Sequence, residues 1–228
     1  MILEKTDSFT LELTGIPEPL RPMAEEAQKF VEVRNVYHSA IREVSTKLEI
    51  LDDEFEARND YNPIHHMESR VKSIQSIFEK LERKGRPLTI DGIRTLTDIA
   101  GIRVICNYID DIYTIADLLL KQDDIELVRE KDYIAHPKES GYRSLHLVVI
   151  VPVFLAERTE KIPVEIQIRT IAMDTWASLE HELKYKNKGS ISEAAQRELQ
   201  QCAEAVADID RRMQRIHREM GLQSEEAG

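Results

Sequence analysis

Two acidic residues far apart in the chain have the sequence context of phosphate chemistry. Asp98 stands just before an apolar, strand-like run, and Glu165 lies in the middle of another, residues 163–169. A carboxylate held on a rigid strand is a suitable ligand for a divalent cation, or a base in a phosphate-transfer reaction. A lone Asp before a strand is usually a cap or turn residue, and pairing with Glu165 in the same sheet is what would make Asp98 a metal ligand. We predict that Asp98 and Glu165 converge on one divalent ion.

A cationic loop with an aromatic ring lies between these two acids in the chain. It carries three cations, a tyrosine and a histidine: Lys131, Lys138, Arg143, Tyr142 and His146. Basic groups hold phosphate oxygens, and a ring beside a glycine hinge offers a flat face to a nucleobase. The sequence therefore predicts a nucleotide-binding loop over residues 129–146.

The run that contains Glu165 alternates strictly. Val164, Ile166 and Ile168 fall on one face of the predicted strand, and Glu165, Gln167 and Arg169 fall on the other. Such alternation is typical of a half-buried strand with a polar, functional face.

Positive charge concentrates in residues 64–90, which hold six Arg and Lys residues against three Glu. The spacing predicts a helix over residues 64–85, in which an apolar stripe opposes a row made of Lys72, Ser76, Lys80 and Arg83. Such a row is often only a solvated helix face, and here we interpret it as a polyphosphate-binding surface. His65 and His66 are adjacent, which favours surface or capping roles over metal binding.

The bulk composition limits the function classes. The 228 residues are 42% hydrophobic, enough for a sizeable core, and the net charge of −11 disfavours generic binding to DNA. The composition permits RNA binding but does not indicate it. No apolar run approaches the length of a membrane span, and Cys106 and Cys202 sit in apolar patterns typical of buried free thiols. These features predict a cytoplasmic protein.

Around these residues the patterns predict an α+β fold, with a mixed sheet of about five strands flanked by helices. Residues 1–22 are expected to form a mobile arm and residues 24–58 a long amphipathic helix, and residues 91–96 to form a connector. The remaining expected elements are strands at 98–107, 125–129, 144–154 and 163–169, and helices at 110–121 and 170–188.

The C-terminal region has the most regular apolar pattern in the chain. From Ser192 onwards, apolar residues recur in alternating steps of four and three, from Ala195 to Met220. This seam predicts an amphipathic oligomerisation helix over residues 189–222, ending at Gly221, with a disordered tail over 223–228.

Four motifs in a fixed order resemble the RelA/SpoT-type alarmone synthetases. They are Arg70-x-Lys72, Asp98-Ile-Ala-Gly-Ile-Arg103, Gly141-Tyr142-Arg143-Ser144-Leu145-His146, and Glu165-Ile166-Gln167-Ile168-Arg169. The resemblance covers residues 60–188 within a synthetase domain expected at 23–188. The size of the chain looks like a single-domain small alarmone synthetase, nearer the RelP branch than the RelQ branch.

The resemblance implies a nucleotidyltransferase-like synthetase fold. It also implies Mg²⁺-dependent transfer of pyrophosphate from ATP to the 3′-hydroxyl of GDP or GTP, giving ppGpp or pppGpp and AMP. On this reading Asp98 and Glu165 are catalytic and hold the metal, with Glu165 either a second ligand or the base. The implied ATP-binding residues are Arg70, Lys72, Ser76, Lys80, Arg83 and Arg103. Of these, Arg70 and Arg103 would sandwich adenine. The implied GDP- or GTP-binding residues are Lys131, Lys138, Tyr142, His146, Gln167 and Glu180.

The sequence departs from the family pattern at two places, and the resemblance carries two further implications. Ser140 replaces an Asn that many relatives carry before the glycine. The run before Arg70 differs from the one that the RelQ branch uses for an effector, so we predict weak or absent activation by pppGpp. The sequence has no His-Asp doublet, which predicts synthesis without hydrolysis. The resemblance also implies a homotetramer.

Three other functions remain as alternatives. A catalytically idle nucleotide- or RNA-binding module would use the same basic loop, and should tolerate loss of Asp98 and Glu165. A templated nucleotidyltransferase needs a paired acid, whereas Asp98 has no such neighbour. A purely structural coiled coil would leave residues 129–169 unexplained.

Overall fold

The structure is a computed structural model that describes residues 21–58, 61–186 and 192–226, without the side chains of residues 21–27, 185 and 221–226. Within these residues the chain forms six helices and five strands. The helices are α1 (Arg21–Arg58), α2 (Ile74–Arg83), α3 (Ile90–Arg94), α4 (Ile109–Leu120), α5 (Ile171–Lys186) and α6 (Glu193–Glu226). The strands are β1 (Ile64–Val71), β2 (Ala100–Cys106), β3 (Glu126–Asp132), β4 (Leu145–Phe154) and β5 (Thr159–Thr170). In these residues no helix has both the length and the apolar character to cross a membrane.

The five described strands form one mixed sheet in the order β1-β2-β5-β4-β3. Only β2 and β5 run parallel, and the other neighbouring pairs are antiparallel. The parallel pair places Gly101 opposite Glu165 and Arg103 opposite Gln167. The predicted α+β class, the mixed sheet and the long helices at both ends are confirmed.

One face of the sheet carries the main core. Helix α1 contacts β1, β2, β4 and β5, and its Val44 and Leu48 are fully buried. The alternation predicted for β5 is confirmed, because Val164, Ile166 and Ile168 are buried in this core. Glu165 and Gln167 therefore project from the opposite face, which is left for the site.

The helix predicted over residues 64–85 is wrong in its first half. Residues Ile64–Val71 form the edge strand β1, and α2 begins only at Ile74, with Ser73 as its N-cap. Residues three apart on a regular strand face opposite sides of the sheet. The register of β1 shifts between Ile64 and His66, and Ile64 and Met67 therefore both pack against the core. Such an irregularity gives buried strand residues the three-residue spacing that is typical of a helix.

Other boundaries differ in smaller ways. The connector predicted at 91–96 is largely the short helix α3, which Thr89 caps by accepting a hydrogen bond from the Gly92 N–H at 3.1 Å. Helix α6 continues past Gly221 to Glu226, so the predicted stop and the tail over 223–226 are wrong. Residues 1–20 of the predicted arm lie outside the described residues, and α1 begins at Arg21. Cys106 is buried as expected, whereas Cys202 is exposed.

Candidate active site

A cavity of about 420 Å³ opens on the face of the sheet opposite α1, across β1, β2 and β5. We call it the sheet cavity; its lining includes Arg70, Lys72, Asp98, Arg103, Glu165 and Gln167. Arg70, Gly101 and Glu165 lie side by side on three neighbouring strands. Because Gly101 adds no side chain between them, space remains between the arginine and the carboxylate.

Asp98 is the charged centre of this cavity. Its Oδ2 accepts from Lys72 Nζ at 2.5 Å and also from Lys80 Nζ. Burial alone would raise the pKa of Asp98, but the hydrogen bonds from Lys72 and Lys80 outweigh burial and hold the pKa below its usual range. The carboxylate is therefore charged at neutral pH.

The remaining oxygen of Asp98 suits a metal. Asp98 Oδ1 is buried without a hydrogen-bond partner, and Glu165 lines the same cavity. Among the described residues no group of three or more His, Cys, Asp or Glu could hold a metal. Mg²⁺ is commonly bound by only one or two carboxylates together with substrate phosphates, so these two acids fit it.

The two arginines of the cavity differ in their environment. Arg70 is exposed on the edge strand, whereas Arg103 is partly buried. Arg103 Nη1 lies 3.3 Å from Glu68 Oε2 and 3.4 Å from Asp174 Oδ1. Arg103 is thus held in place, while Arg70 is open to solvent.

The segment between β3 and β4, residues 133–144, forms what we call the tyrosine loop. Gly141 has φ +87°, a left-handed conformation that favours glycine, and its N–H donates to Lys138 O at 2.8 Å. The ammonium of Lys138 lies between two rings, 4.6 Å from the centroid of Tyr133 and 4.5 Å from that of Tyr142. These contacts stack the cation and both rings together.

Tyr142 is half-buried and not fully available as a stacking surface. Its hydroxyl lies 2.8 Å from His146 Nε2 and accepts from Arg169 Nη2 at 2.9 Å. Burial, with the positive charges of Arg169, Lys138 and Lys131, lowers the pKa of His146 to about 3. His146 is therefore neutral at pH 7, and its 4.0 Å approach to Glu165 is a polar contact between a neutral ring and a carboxylate.

A chain of polar contacts joins the sheet cavity to the tyrosine loop. Gln167 Nε2 donates to Glu165 Oε2 at 3.1 Å, and Arg169 donates to Gln167 Oε1. Arg169 also donates to Asp174 Oδ1 at 3.0 Å. Because Arg169 bonds to Tyr142 as well, one buried guanidinium links the two halves of the site.

The structure does not bring every predicted residue into this site. Ser76 lies in the first turn of α2, where its hydroxyl accepts from Ser73 Oγ at 3.0 Å, and Arg83 is exposed in the last turn. Glu180 pairs with Lys184 and lines a separate cavity beside Ser140. Lys131 is exposed on β3 opposite His146, and its charge still reaches that ring.

Sequence reasoning gave Arg169 no role in the site and missed Asp174. The alternation had already placed Arg169 on the polar strand face with Glu165 and Gln167, which was the signal for its role. Asp174 lies on α5, and only the packing of α5 against β2 and β5 brings it to Arg103 and Arg169.

Comparisons with known proteins agree with this arrangement. Residues 69–190 match the family described as the region found in RelA/SpoT proteins. The chain is 44% identical over 186 residues to the GTP pyrophosphokinase YwaC of Bacillus subtilis, covering 81% of this chain and 89% of that protein. It is 42% identical over 184 residues to the GTP pyrophosphokinase YjbM of the same organism, covering 81% and 86%.

A solved structure gives the same result at the level of the fold. The small alarmone synthetase 1 from Bacillus subtilis, bound to its product pppGpp, superimposes with a TM-score of 0.79 at 40% identity, covering 84% of this chain and 98% of that one. The match to the family spans more than half of the chain and includes both acids of the sheet cavity. The chain belongs to the RelA/SpoT family of alarmone synthetases.

Proposed function

We propose that this protein is a GTP pyrophosphokinase, which transfers pyrophosphate from ATP to the 3′-hydroxyl of GDP or GTP and releases AMP. The observation that carries the proposal is the shared cavity of Asp98 and Glu165, with two arginines on one side and the tyrosine loop on the other. The small alarmone synthetase 1 of Bacillus subtilis has the same fold and binds pppGpp, the product that this reaction gives from GTP.

The sheet cavity is the proposed ATP site. Arg70 and Arg103 flank the adenine, where a guanidinium over a ring gains cation–π and stacking energy. Lys72 and Lys80 hold the triphosphate, which requires them to loosen their contacts with Asp98. Ser76 in the first turn of α2 and Arg83 in its last turn would meet the outer phosphates.

The tyrosine loop is the proposed site for GDP or GTP. The ring of Tyr142 stacks on guanine, and Lys131 and Lys138 hold the acceptor phosphates. His146 acts as a neutral hydrogen-bond donor, because its low pKa excludes a charged imidazole at pH 7. Gln167 and Glu180 complete the guanosine side, with Glu180 reached through the cavity beside Ser140.

The chemical step depends on Glu165. Its Oε2 accepts from Gln167, and its Oε1 faces His146, so the carboxylate is oriented from two sides. In this position it takes the proton of the attacking 3′-hydroxyl, or holds the metal beside it. Asp98 and Glu165 would hold Mg²⁺, which would supply charge neutralisation at the transferred phosphates. The remaining work of the protein is positioning.

Five further properties are proposed with the function. The protein synthesises the alarmone without degrading it, responds weakly or not at all to pppGpp, and is nearer RelP than RelQ. It is a cytoplasmic protein that acts as a homotetramer. Support for self-association comes from α6, where Ile209, Met213, Ile216 and Met220 form an exposed apolar stripe.

The activity is tested by incubating the protein with ATP, GDP and Mg²⁺ and separating the nucleotides by chromatography. We expect AMP and guanosine tetraphosphate to rise in equal amounts. ADP or free phosphate as the main product would contradict the proposal. A protein that binds both nucleotides without forming AMP would instead be the idle binding module.

The assembly is tested by analytical ultracentrifugation. The wild-type protein should sediment as a tetramer, and the double variant Ile209→Glu with Met213→Glu should sediment as a smaller species. A matched variant, Glu204→Gln on an exposed position of the same helix, should leave the tetramer unchanged. A monomeric wild-type protein would overturn the assembly but not the activity.

A further inference from the structure

The backbone of the tyrosine loop lies directly on α6. A Cβ atom added to Gly141 would stand 2.4 Å from Ala203 Cβ and 3.8 Å from Gln200 O. Real Cβ atoms do not approach so closely, and the positive φ of Gly141 disfavours a side chain independently. The loop reaches α6 only because a glycine faces an alanine at this point.

Arg143 ties the same two segments together. Its Nη1 donates to Gly141 O and to Ala203 O, both at 3.2 Å. The sequence grouped Arg143 with the cations that hold phosphate, but its guanidinium points at the α6 backbone. It therefore connects the loop to the helix.

Helix α6 is anchored independently of the loop. Trp176 Nε1 on α5 donates to Leu199 O at 3.0 Å, and Thr170 Oγ1 at the end of β5 donates to Asp210 Oδ2 at 2.7 Å. Ala203 lies between these two anchors and is buried with Trp176. The loop thus takes its position from a helix that the sheet and α5 already hold.

We infer that α6 is a positioning element for the acceptor nucleotide, with Ala203 and Arg143 as positioning residues that orient Lys138 and Tyr142. The inference rests on the proposed role of the tyrosine loop in binding GDP or GTP. Disturbing the contact between the loop and α6 weakens the acceptor site. The ATP site is spared, because Arg70, Lys72 and Asp98 lie across β5, on or beside β1 and β2.

The test compares two substitutions of the same kind on α6. Ala203→Val adds two methyl groups where Gly141 approaches, whereas Ala205→Val adds them at an exposed position. For Ala203→Val we expect the KM for GDP to rise about tenfold, because overpacking displaces the loop. The KM for ATP should change less than about twofold, and Ala205→Val should change neither KM by more than that.

Arg143 gives a second and milder test. Arg143→Ala removes both hydrogen bonds to the carbonyls, whereas Arg143→Lys keeps a charged donor group without the planar guanidinium. The KM for GDP should therefore rise most in the first variant and less in the second. Hydrogen exchange of residues 138–143 should become faster in Ala203→Val and in Arg143→Ala. If Ala203→Val fails to fold, the Arg143 pair decides alone.

The outcomes separate this inference from the proposed function. If Lys138→Ala and Tyr142→Ala leave the KM for GDP unchanged, the loop does not bind the acceptor, and the inference falls with that assignment. If the loop variants raise the KM for GDP but Ala203→Val and Arg143→Ala do not, the loop binds the acceptor, and only the proposed role of α6 is refuted. Equal increases in the KM of ATP and GDP would show a general structural defect and would also overturn the inference.

Discussion

The sheet cavity holds its charged side chains in direct ion pairs beside one exposed arginine, whereas the tyrosine loop holds its polar groups under aromatic rings. In the cavity, Arg70 is exposed, and Lys72 and Lys80 are held by one carboxylate, Asp98. In the loop, Tyr142 is half-buried and bonds to His146 and to Arg169, which is 4% exposed. The sheet cavity is thus held by ion pairs whose partners a substrate can replace, and the tyrosine loop by packing around buried hydrogen bonds.

This difference predicts different responses to substitution. The ion pairs of Lys72 and Lys80 with Asp98 are partly buried, but they adjoin a cavity that opens to solvent, so water can solvate a charge left unpaired there. A change in the cavity should therefore alter catalysis or affinity more than folding. Buried polar networks contribute more, and a half-broken network is costly. A change in the loop network should therefore alter both affinity and folding.

The largest effect is expected where the two regions meet. Glu165→Gln and Asp98→Asn each remove a negative charge from the cavity while keeping the shape of the side chain. The rate of AMP formation should fall about a thousandfold or more in each variant, because both charge neutralisation and proton removal depend on these oxygens. The rate is measured with saturating ATP and GDP, and the melting temperature is recorded alongside.

The matched control is Glu126→Gln, since Glu126 lies exposed on β3 and pairs only with the exposed Lys161 among the contacts described. It should retain the wild-type rate within about twofold. Retention of more than a tenth of the rate by Glu165→Gln would remove this residue from the chemical step.

The second effect concerns stability. Arg169→Ala removes the buried guanidinium that donates hydrogen bonds to Tyr142, Gln167 and Asp174. We expect the free energy of unfolding to fall by about 3 kcal/mol, because the partners of a buried charge are left unpaired. Unfolding in urea measures this free energy. Arg212→Ala, which breaks an exposed pair with Asp208 on α6, should cost less than about 1 kcal/mol. Similar losses in the two variants would contradict the contrast between buried network and surface pair.

The sequence was sufficient for the parts of the site that lie on single regular strands. Alternation placed Glu165 and Gln167 on one polar face, and the ordered motifs placed Asp98 and Arg103 beside them. It also identified the long helices at both ends. These features depend on local periodicity, which a strand buried on one face imposes on its own sequence.

The parts that sequence reasoning missed depend on contacts between distant segments or on irregular backbone. Strand β1 was mistaken for helix because the apolar spacing of α2 was extended back over residues 64–71. The register shift in β1 also lets Ile64 and Met67, three residues apart, both pack against the core. The target of Arg143 lies 60 residues further along the chain, on α6. The low pKa of His146 arises first from burial and then from cations on three separate segments, which no local pattern reveals.

The third effect is a pH dependence of stability that originates in the loop. His146 has a pKa of about 3 in the folded protein, below the usual value of about 6.5. The folded state therefore favours the neutral ring, and this contribution is complete above about pH 6.5 and is lost as the pH falls towards 3. Between pH 7 and 4.5 the wild-type protein should lose about 2–3 kcal/mol more stability than His146→Asn. Unfolding in urea at the two pH values measures the difference. Parallel losses in both proteins would show that His146 is not the titrating group.

The smallest effect is expected in the cavity, from removal of the exposed side chain of Arg70. Arg70→Ala should raise the Kd of a non-hydrolysable ATP analogue about fivefold, because an exposed cation–π contact contributes about 1 kcal/mol. Arg70→Lys keeps the charge without the planar face and should fall between the wild type and Arg70→Ala. The melting temperature and the KM for GDP should stay unchanged in both, since Arg70 lies on the edge strand on the far side of β5 from the loop. Calorimetric titration measures the Kd. An Arg70→Ala variant that loses stability as Arg169→Ala does would erase the distinction between an open, exchangeable cavity and a packed loop.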